Sequence, residues 1–165
     1  SVASETTAAQ SGAVGVVRRD PMAMKPFAGY NYGDYWTHWL NLGARLKNPP
    51  RIFHVNWFRQ NAAGKFLWPG YSDNLRVLEW VLDRCAGRGG AVDTPIGFIP
   101  RPGDIDTQGM TIDQATLTEL TAIPNEAWVK EMSDFRKYLL QYGSRLPAKL
   151  VAEVDEVERR LKARS

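Results

Sequence analysis

The chain is 165 residues long, 44% hydrophobic and 24% charged, enough for one domain with its own core. Twenty-one Lys and Arg against eighteen Asp and Glu leave a net charge of +3, too small to argue for a nucleic-acid partner without a localised patch. A single cysteine, Cys85, excludes an internal disulfide or a multi-cysteine metal site and fits a reducing compartment. With no apolar run near the roughly 18 residues of a membrane span and no signal-peptide pattern, the expectation is a cytoplasmic protein with neither membrane nor nucleic acid as partner.

From Ser1 to Gly15 the residues are mostly small, which predicts a mobile loop. Pro21, Pro26 and Gly29 keep the next stretch irregular. A helix is predicted over about Asp34 to Leu42, capped by Asp34 and ended by Gly43, with Tyr35, Trp39, Leu42 and Leu46 on one face. After Asn48-Pro49-Pro50, Arg51 to Phe58 is rich in β-branched and aromatic residues and predicts a buried strand. Asn61 to Gly64 then turns the chain into a second strand, Lys65 to Trp68. Asp73 is a candidate cap for a helix whose apolar positions are Leu75, Leu78, Leu82 and Cys85, with Gly87 to Gly90 ending it. Thr94 to Asp106 is punctuated by Pro and Gly, with at most a short strand at Ile96 to Ile99. Trp128, Met132, Phe135, Leu139 and Tyr142 mark a helix stopped by Gly143, and Leu150, Val154, Val157 and Leu161 mark a last one opening at Pro147. The two read as a helical hairpin covering a sheet. The fold class expected is mixed α/β, a small sheet built on Arg51 to Trp68 with helices around it.

Thirteen of the eighteen aromatic residues fall between Phe27 and Trp80, and Phe53, Val55, Trp36, Trp39 and Trp80 are assigned to core. The segment from Trp57-Phe58 through Phe66 to Tyr71-Ser72-Asp73-Asn74 differs, because it sets rings at both ends of a hairpin and again at a helix start. A planar base gains roughly 1–3 kcal/mol per aromatic stack, whichever base it is, so discrimination rests on hydrogen bonds. Asn74 offers an amide oxygen to the N1–H and N2–H₂ donors of guanine, and nearby backbone N–H groups suit its O6.

Several strings in one order carry a resemblance: Ser4-Glu5-Thr6-Thr7-Ala8-Ala9, Asp20 to Phe27 (DPMAMKPF), Gly29 to Tyr35 (GYNYGDY), Ile52 to Arg59 (IFHVNWFR), Gly64 to Gly70 (GKFLWPG), Asn74 to Asp83 and Thr94 to Gly97 (TPIG). Together they resemble the GTP-dependent phosphoenolpyruvate carboxykinases, densely from Ser4 to Pro100 and loosely beyond. The resemblance implies a gluconeogenic carboxy-lyase reaction, in which oxaloacetate loses CO₂ and the enolate takes the γ-phosphoryl group of GTP, giving phosphoenolpyruvate and GDP with Mn²⁺ and Mg²⁺ assisting. It also implies that Phe58 and Tyr71 sandwich the guanine, Phe66 packs against it and Asn74 hydrogen-bonds it, with Trp57, Ser72 and Asp73 beside them. Ser4 to Ala9 match a lid that excludes water from the enolate. The divisions expected are 1–16 as lid, 17–110 as the guanine-nucleotide-binding part and 111–165 as C-terminal helices. The resemblance implies that they belong to a larger two-domain, monomeric enzyme.

Tyr71-Ser72-Asp73-Asn74 stands where the family usually has Phe-Gly-Glu-Asn, so Ser72 replaces a glycine whose dihedrals a serine resists. The family's phosphate-cradling loop, metal ligands and substrate-binding arginines match nothing in this chain, and Gly64-Lys65 lacks the spacing of a phosphate loop. No catalytic or metal-binding residue is therefore assigned. The chain alone is expected to be inactive without the missing N-terminal part. His38 and His54 share no acidic or cysteine partner, Cys85 is assigned to core, and Arg18-Arg19 to a solvated loop. Two rivals are a guanine-nucleotide-binding module without catalysis and a single-stranded RNA binder.

Overall fold

A computed structural model describes residues 19–164, so the loop and lid expectations for 1–16, Arg18 and Ser165 lie outside the described residues. Two compact units divide the chain, one of 19–48 with 129–159 and one of 49–128 with 160–164.

The first unit is helical, and aromatic side chains hold it together. Helix α1 (Tyr32–Arg45) is capped by Asn31, whose side-chain oxygen accepts from the Gly33 N–H at 2.8 Å. Asp34, the expected cap, already lies inside the first turn and instead accepts from Arg145 Nη1 at 2.5 Å. Gly43 does not stop the helix, which runs on to Arg45. Tyr32 and Trp36 are its buried face, while Trp39 is exposed. The expected face, set by Tyr35 and Trp39, is thus rotated by nearly one position. They join Tyr138 and Leu139 of α4 (Asn125–Leu140) and Val154 of α5 (Ala148–Lys162) in one cluster, with Met132, Phe135, Tyr142 and Leu150 packed against it. Trp36 meets Tyr32 and Tyr142 edge-on at 5.0 and 4.7 Å between ring centroids, the arrangement favoured by ring quadrupoles. The hairpin of α4 and α5 therefore shares its core with α1 and not with a sheet.

A side chain at Gly33 would strike the Arg145 carbonyl, so only glycine lets α1 approach the 143–145 turn. Arg136 ties α4 to α5 through Asp155 at 2.6 Å and Glu158 at 3.1 Å. Arg19 is not free in a solvated loop, since it donates to Glu131 at 2.7 Å and lies over the Phe135 ring.

In the second unit the expected sheet is largely replaced by extended chain. Residues 51–58 form no strand, because no neighbouring strand pairs with them among the described residues; β-forming composition needs a ladder to act on. The segment is held by its rings instead, Phe53 edge-on to Trp80 at 5.9 Å and Trp57 beside Trp68 at 6.1 Å. Its Val55 is exposed, contrary to the core assignment. The 61–64 turn forms, with Gly64 at φ 76° and its N–H donating to Asn61 O at 2.9 Å. The second strand shrinks to one bridge, Gln60 opposite Phe66. The sheet that does form is a two-stranded antiparallel hairpin of β1 (Val92–Thr94) and β2 (Gly97–Ile99); β2 falls where at most a short strand was expected, and β1 was not expected.

Helix α2 (Asn74–Cys85) turns Trp80 inward, and its Nε1–H donates to Gly90 O at 2.8 Å. The opposite stripe of Leu75, Leu78, Leu82 and Cys85 is exposed, so Cys85 is not a core residue. Both sides of α2 are apolar, and spacing alone does not say which one packs. Helix α3 (Gln114–Thr121) follows, capped by Asp113, which accepts from the Thr116 N–H at 2.7 Å. Among the described residues no helix is long and apolar enough to cross a membrane.

Candidate functional site

Five residues singled out in the sequence, Trp57, Phe58, Phe66, Tyr71 and Asn74, line one cavity of about 870 Å³ in the second unit. That volume falls in the range of sites for small organic ligands. Three local features bring the rings together. The Asn61 side chain accepts from the Ala63 and Lys65 N–H groups, both at 3.0 Å, fixing the turn that sets Phe58 and Phe66 beside each other. Gly70 takes φ 149° and ψ −171°, a region open only to glycine, and swings the chain from Pro69 into the 3₁₀ turn of Tyr71–Asp73. That turn runs directly into α2, placing Asn74 as its first residue.

The rings are open to solvent, with Phe58 72%, Phe66 52% and Tyr71 92% exposed. Phe58 and Phe66 meet edge-on at 6.0 Å and 63°, so they brace each other and leave ring surface uncovered. Tyr71 pairs with no other ring among the described residues. Asn74 is held from behind: the Trp68 indole Nε1–H donates to its Oδ1 at 2.8 Å. Trp68 itself is buried.

Ser72 and Asp73 do not line the cavity. Ser72 lies at ordinary negative φ, since Met22 is the one non-glycine residue with positive φ among those described. A serine there costs no backbone strain, and the demand for glycine lies two residues earlier. Asp73 makes no cap hydrogen bond to α2; its Oδ1 accepts from Arg76 Nε at 3.1 Å. Lys65 lines the cavity, whereas Lys25 stands over the Tyr138 and Tyr142 rings at 5.2 and 5.9 Å.

Sequence reasoning missed the opposite wall, supplied by Thr111, Ile112 and Thr116. Arg76 links the two sides, donating to Asp106 O at 3.1 Å and to Gln108 O at 2.8 Å in addition to Asp73. The Asp73–Arg76 spacing was a visible signal for that ion pair, but nothing in the sequence pointed to its carbonyl partners thirty residues on. Arg59 similarly reaches across to the Leu120 and Ala122 carbonyls at 2.9 Å, capping the C-terminal end of α3.

A second cavity, of about 220 Å³, lies behind Trp57 and Trp68 and is apolar, lined by Phe53, Val77, Trp80 and Leu117 among others. Among the described residues no three His, Cys, Asp or Glu side chains cluster as a metal site.

The chain matches the family described as the phosphoenolpyruvate carboxykinase C-terminal P-loop domain over residues 1–160. It is 48% identical over 163 residues to the phosphoenolpyruvate carboxykinase [GTP] of Paenarthrobacter aurescens, covering 97% of this chain and 27% of that protein. The enzyme of the same name from Anaeromyxobacter dehalogenans is 48% identical over 160 residues, again covering 97% and 27%. That of Neocallimastix frontalis is 46% identical over 166 residues, covering 99% and 27%. The chain thus spans about a quarter of the length of these relatives. On this breadth and level of identity, the chain belongs to the GTP-dependent phosphoenolpyruvate carboxykinase family and matches its C-terminal domain.

Proposed function

We propose that the cavity binds the base of a guanine nucleotide and that the chain serves the conversion of oxaloacetate and GTP to phosphoenolpyruvate, GDP and CO₂ as the base-gripping part of the enzyme. One observation carries the reading: Trp57, Phe58, Phe66, Tyr71 and Asn74 line a single open cavity, and the Phe58, Phe66 and Tyr71 rings are exposed, where a structural role would have buried them. Phe58 and Tyr71 supply the stacking faces, Phe66 braces Phe58, and Asn74 reads the edge of the base. A base held so is fixed in position before the phosphoryl group moves, and positioning of this kind is most of what a protein contributes to phosphoryl transfer.

The lid role of Ser4 to Ala9 and the division into 1–16, 17–110 and 111–165 rest on the resemblance alone. Divalent metals, which the family implies, have no fitting set of donors among the described residues, and no step here is derived through them. The oxaloacetate chemistry belongs to the remaining three quarters of the family's length, so the chain alone is inactive in this reading. Intrinsic fluorescence tests the reading, because Trp57 and Trp68 line the cavity. GDP is expected to quench it at concentrations where ADP does not, with little dependence on salt. Equal or absent responses to the two nucleotides would overturn the reading, and a response to a short oligonucleotide that collapses with salt would replace it with nucleic-acid binding.

A further inference from the structure

We infer that Trp68 determines which purine the cavity accepts, by locking the side-chain amide of Asn74 in one of its two orientations. The inference rests on the reading of the cavity as a guanine site and adds a specificity-determining positioning residue to it.

An asparagine amide presents an acceptor on one side and two donors on the other. The exocyclic group and N1 of guanine offer an acceptor beside a donor, and those of adenine offer a donor beside an acceptor. One amide serves guanine in one orientation, N–H₂ to O6 and oxygen to N1–H, and adenine in the orientation flipped by half a turn. An asparagine free to flip is therefore a poor discriminator.

In this chain the flip is opposed. The indole Nε1–H of Trp68 only donates, and it lies 2.8 Å from Asn74 Oδ1. Turning the amide over sets N–H₂ against N–H, removing that bond and leaving a donor without a partner on a side chain only 7% exposed. In the locked orientation Oδ1 keeps a second lone pair, and Nδ2 makes no hydrogen bond among the described residues, so both remain available to a base. Asn74 also lines the cavity directly. Trp68 is held in turn by its neighbours, since its ring lies 6.1 Å from that of Trp57. The locked donor and acceptor match guanine and oppose adenine.

The test compares GDP, IDP and ADP affinities of this chain with those of two variants, Trp68→Phe and one carrying benzothienylalanine at position 68, an isostere that keeps the bicyclic shape and lacks the N–H. IDP retains O6 and N1–H, so it is expected to follow GDP. Loss of the lock is expected to narrow the GDP-to-ADP preference by about tenfold, the worth of one well-made hydrogen bond. Overall folding, followed by far-ultraviolet circular dichroism, stays unchanged in the isostere. Should Trp68→Phe fail to fold, the isostere decides. An unchanged preference in the folded isostere overturns the inference and leaves the guanine site intact. Absence of guanine preference in the unsubstituted chain removes the reading of the cavity and the inference with it.

Discussion

Tyr71→Ala separates a ring kept for a ligand from a ring kept for folding. The Tyr71 side chain is 92% exposed. Among the described residues its ring pairs with no other and its hydroxyl makes no hydrogen bond. Truncation therefore removes almost nothing from the folded state, and unfolding free energy is expected to shift by less than about 0.5 kcal/mol, as for an ordinary surface substitution. A stacked base loses one aromatic face, about 1–3 kcal/mol, which weakens GDP binding by about 5- to 150-fold. Isothermal titration calorimetry with GDP, run beside thermal unfolding of the same preparations, reads both quantities. Tyr71→Phe keeps the face and is expected to bind like the parent. Refutation is direct: a Tyr71→Ala chain that binds GDP as tightly as the parent places the base elsewhere, and one that melts early shows the ring to be structural.

Four further outcomes follow from the same geometry. Gly70→Ala forces a side chain onto a backbone at φ 149°, costing about 1–3 kcal/mol and displacing Tyr71, so denaturant melts and GDP affinity are both expected to fall. Arg76→Ala removes three hydrogen bonds from a guanidinium that joins the Tyr71–Asp73 turn to Asp106 and Gln108. A loss of about 1.5–3 kcal/mol and faster amide exchange at 106–112 are expected. Leu139→Ala empties a site that is 1% exposed and is expected to cost about 2–5 kcal/mol by urea denaturation. Burial first, then its hydrogen bond with Tyr142, holds the Tyr138 phenol well above its ordinary range. Because the folded state resists ionisation, this contribution is whole below the unfolded value of about 10 and fades as pH rises through the folded one. Stability followed by alkaline titration should therefore begin to fall above about pH 10, and Tyr138→Phe should flatten the fall.

The helices of the first unit were legible because their apolar residues recur at helical spacing and one face of each wins. Met132, Phe135, Leu139 and Tyr142 pack as their spacing implied. The face of α1 was misjudged because Tyr32, Tyr35, Trp36 and Trp39 surround one side of the helix so closely that composition does not single out the buried pair. On α2 both sides are apolar, and the buried side followed Trp80 and its bond to Gly90, a long-range contact that periodicity does not contain. The strand expected at 51–58 failed for a physical reason: β-branched and aromatic residues favour pleated pairing only when a neighbour supplies the ladder, and here rings anchor the segment instead. Of the site, the near wall was legible because it is contiguous in sequence. The far wall, Thr111, Ile112 and Thr116, was not, since it is brought in by Arg76 and Arg59 binding backbone carbonyls, which any residue provides. The supposed glycine requirement at Ser72 belonged to Gly70, a distinction that only the dihedrals make.

The central claim, that a guanine base occupies the cavity between Phe58 and Tyr71, is tested most directly by nitrogen-edited NMR of the labelled chain during GDP titration. Saturable shifts are expected at the Trp57 and Trp68 indole N–H and the Asn74 side-chain amide, with ADP leaving them in place at the same concentration. If GDP moves none of these three signals, or binds while shifting only residues outside 57–74 and 111–116, the account is wrong.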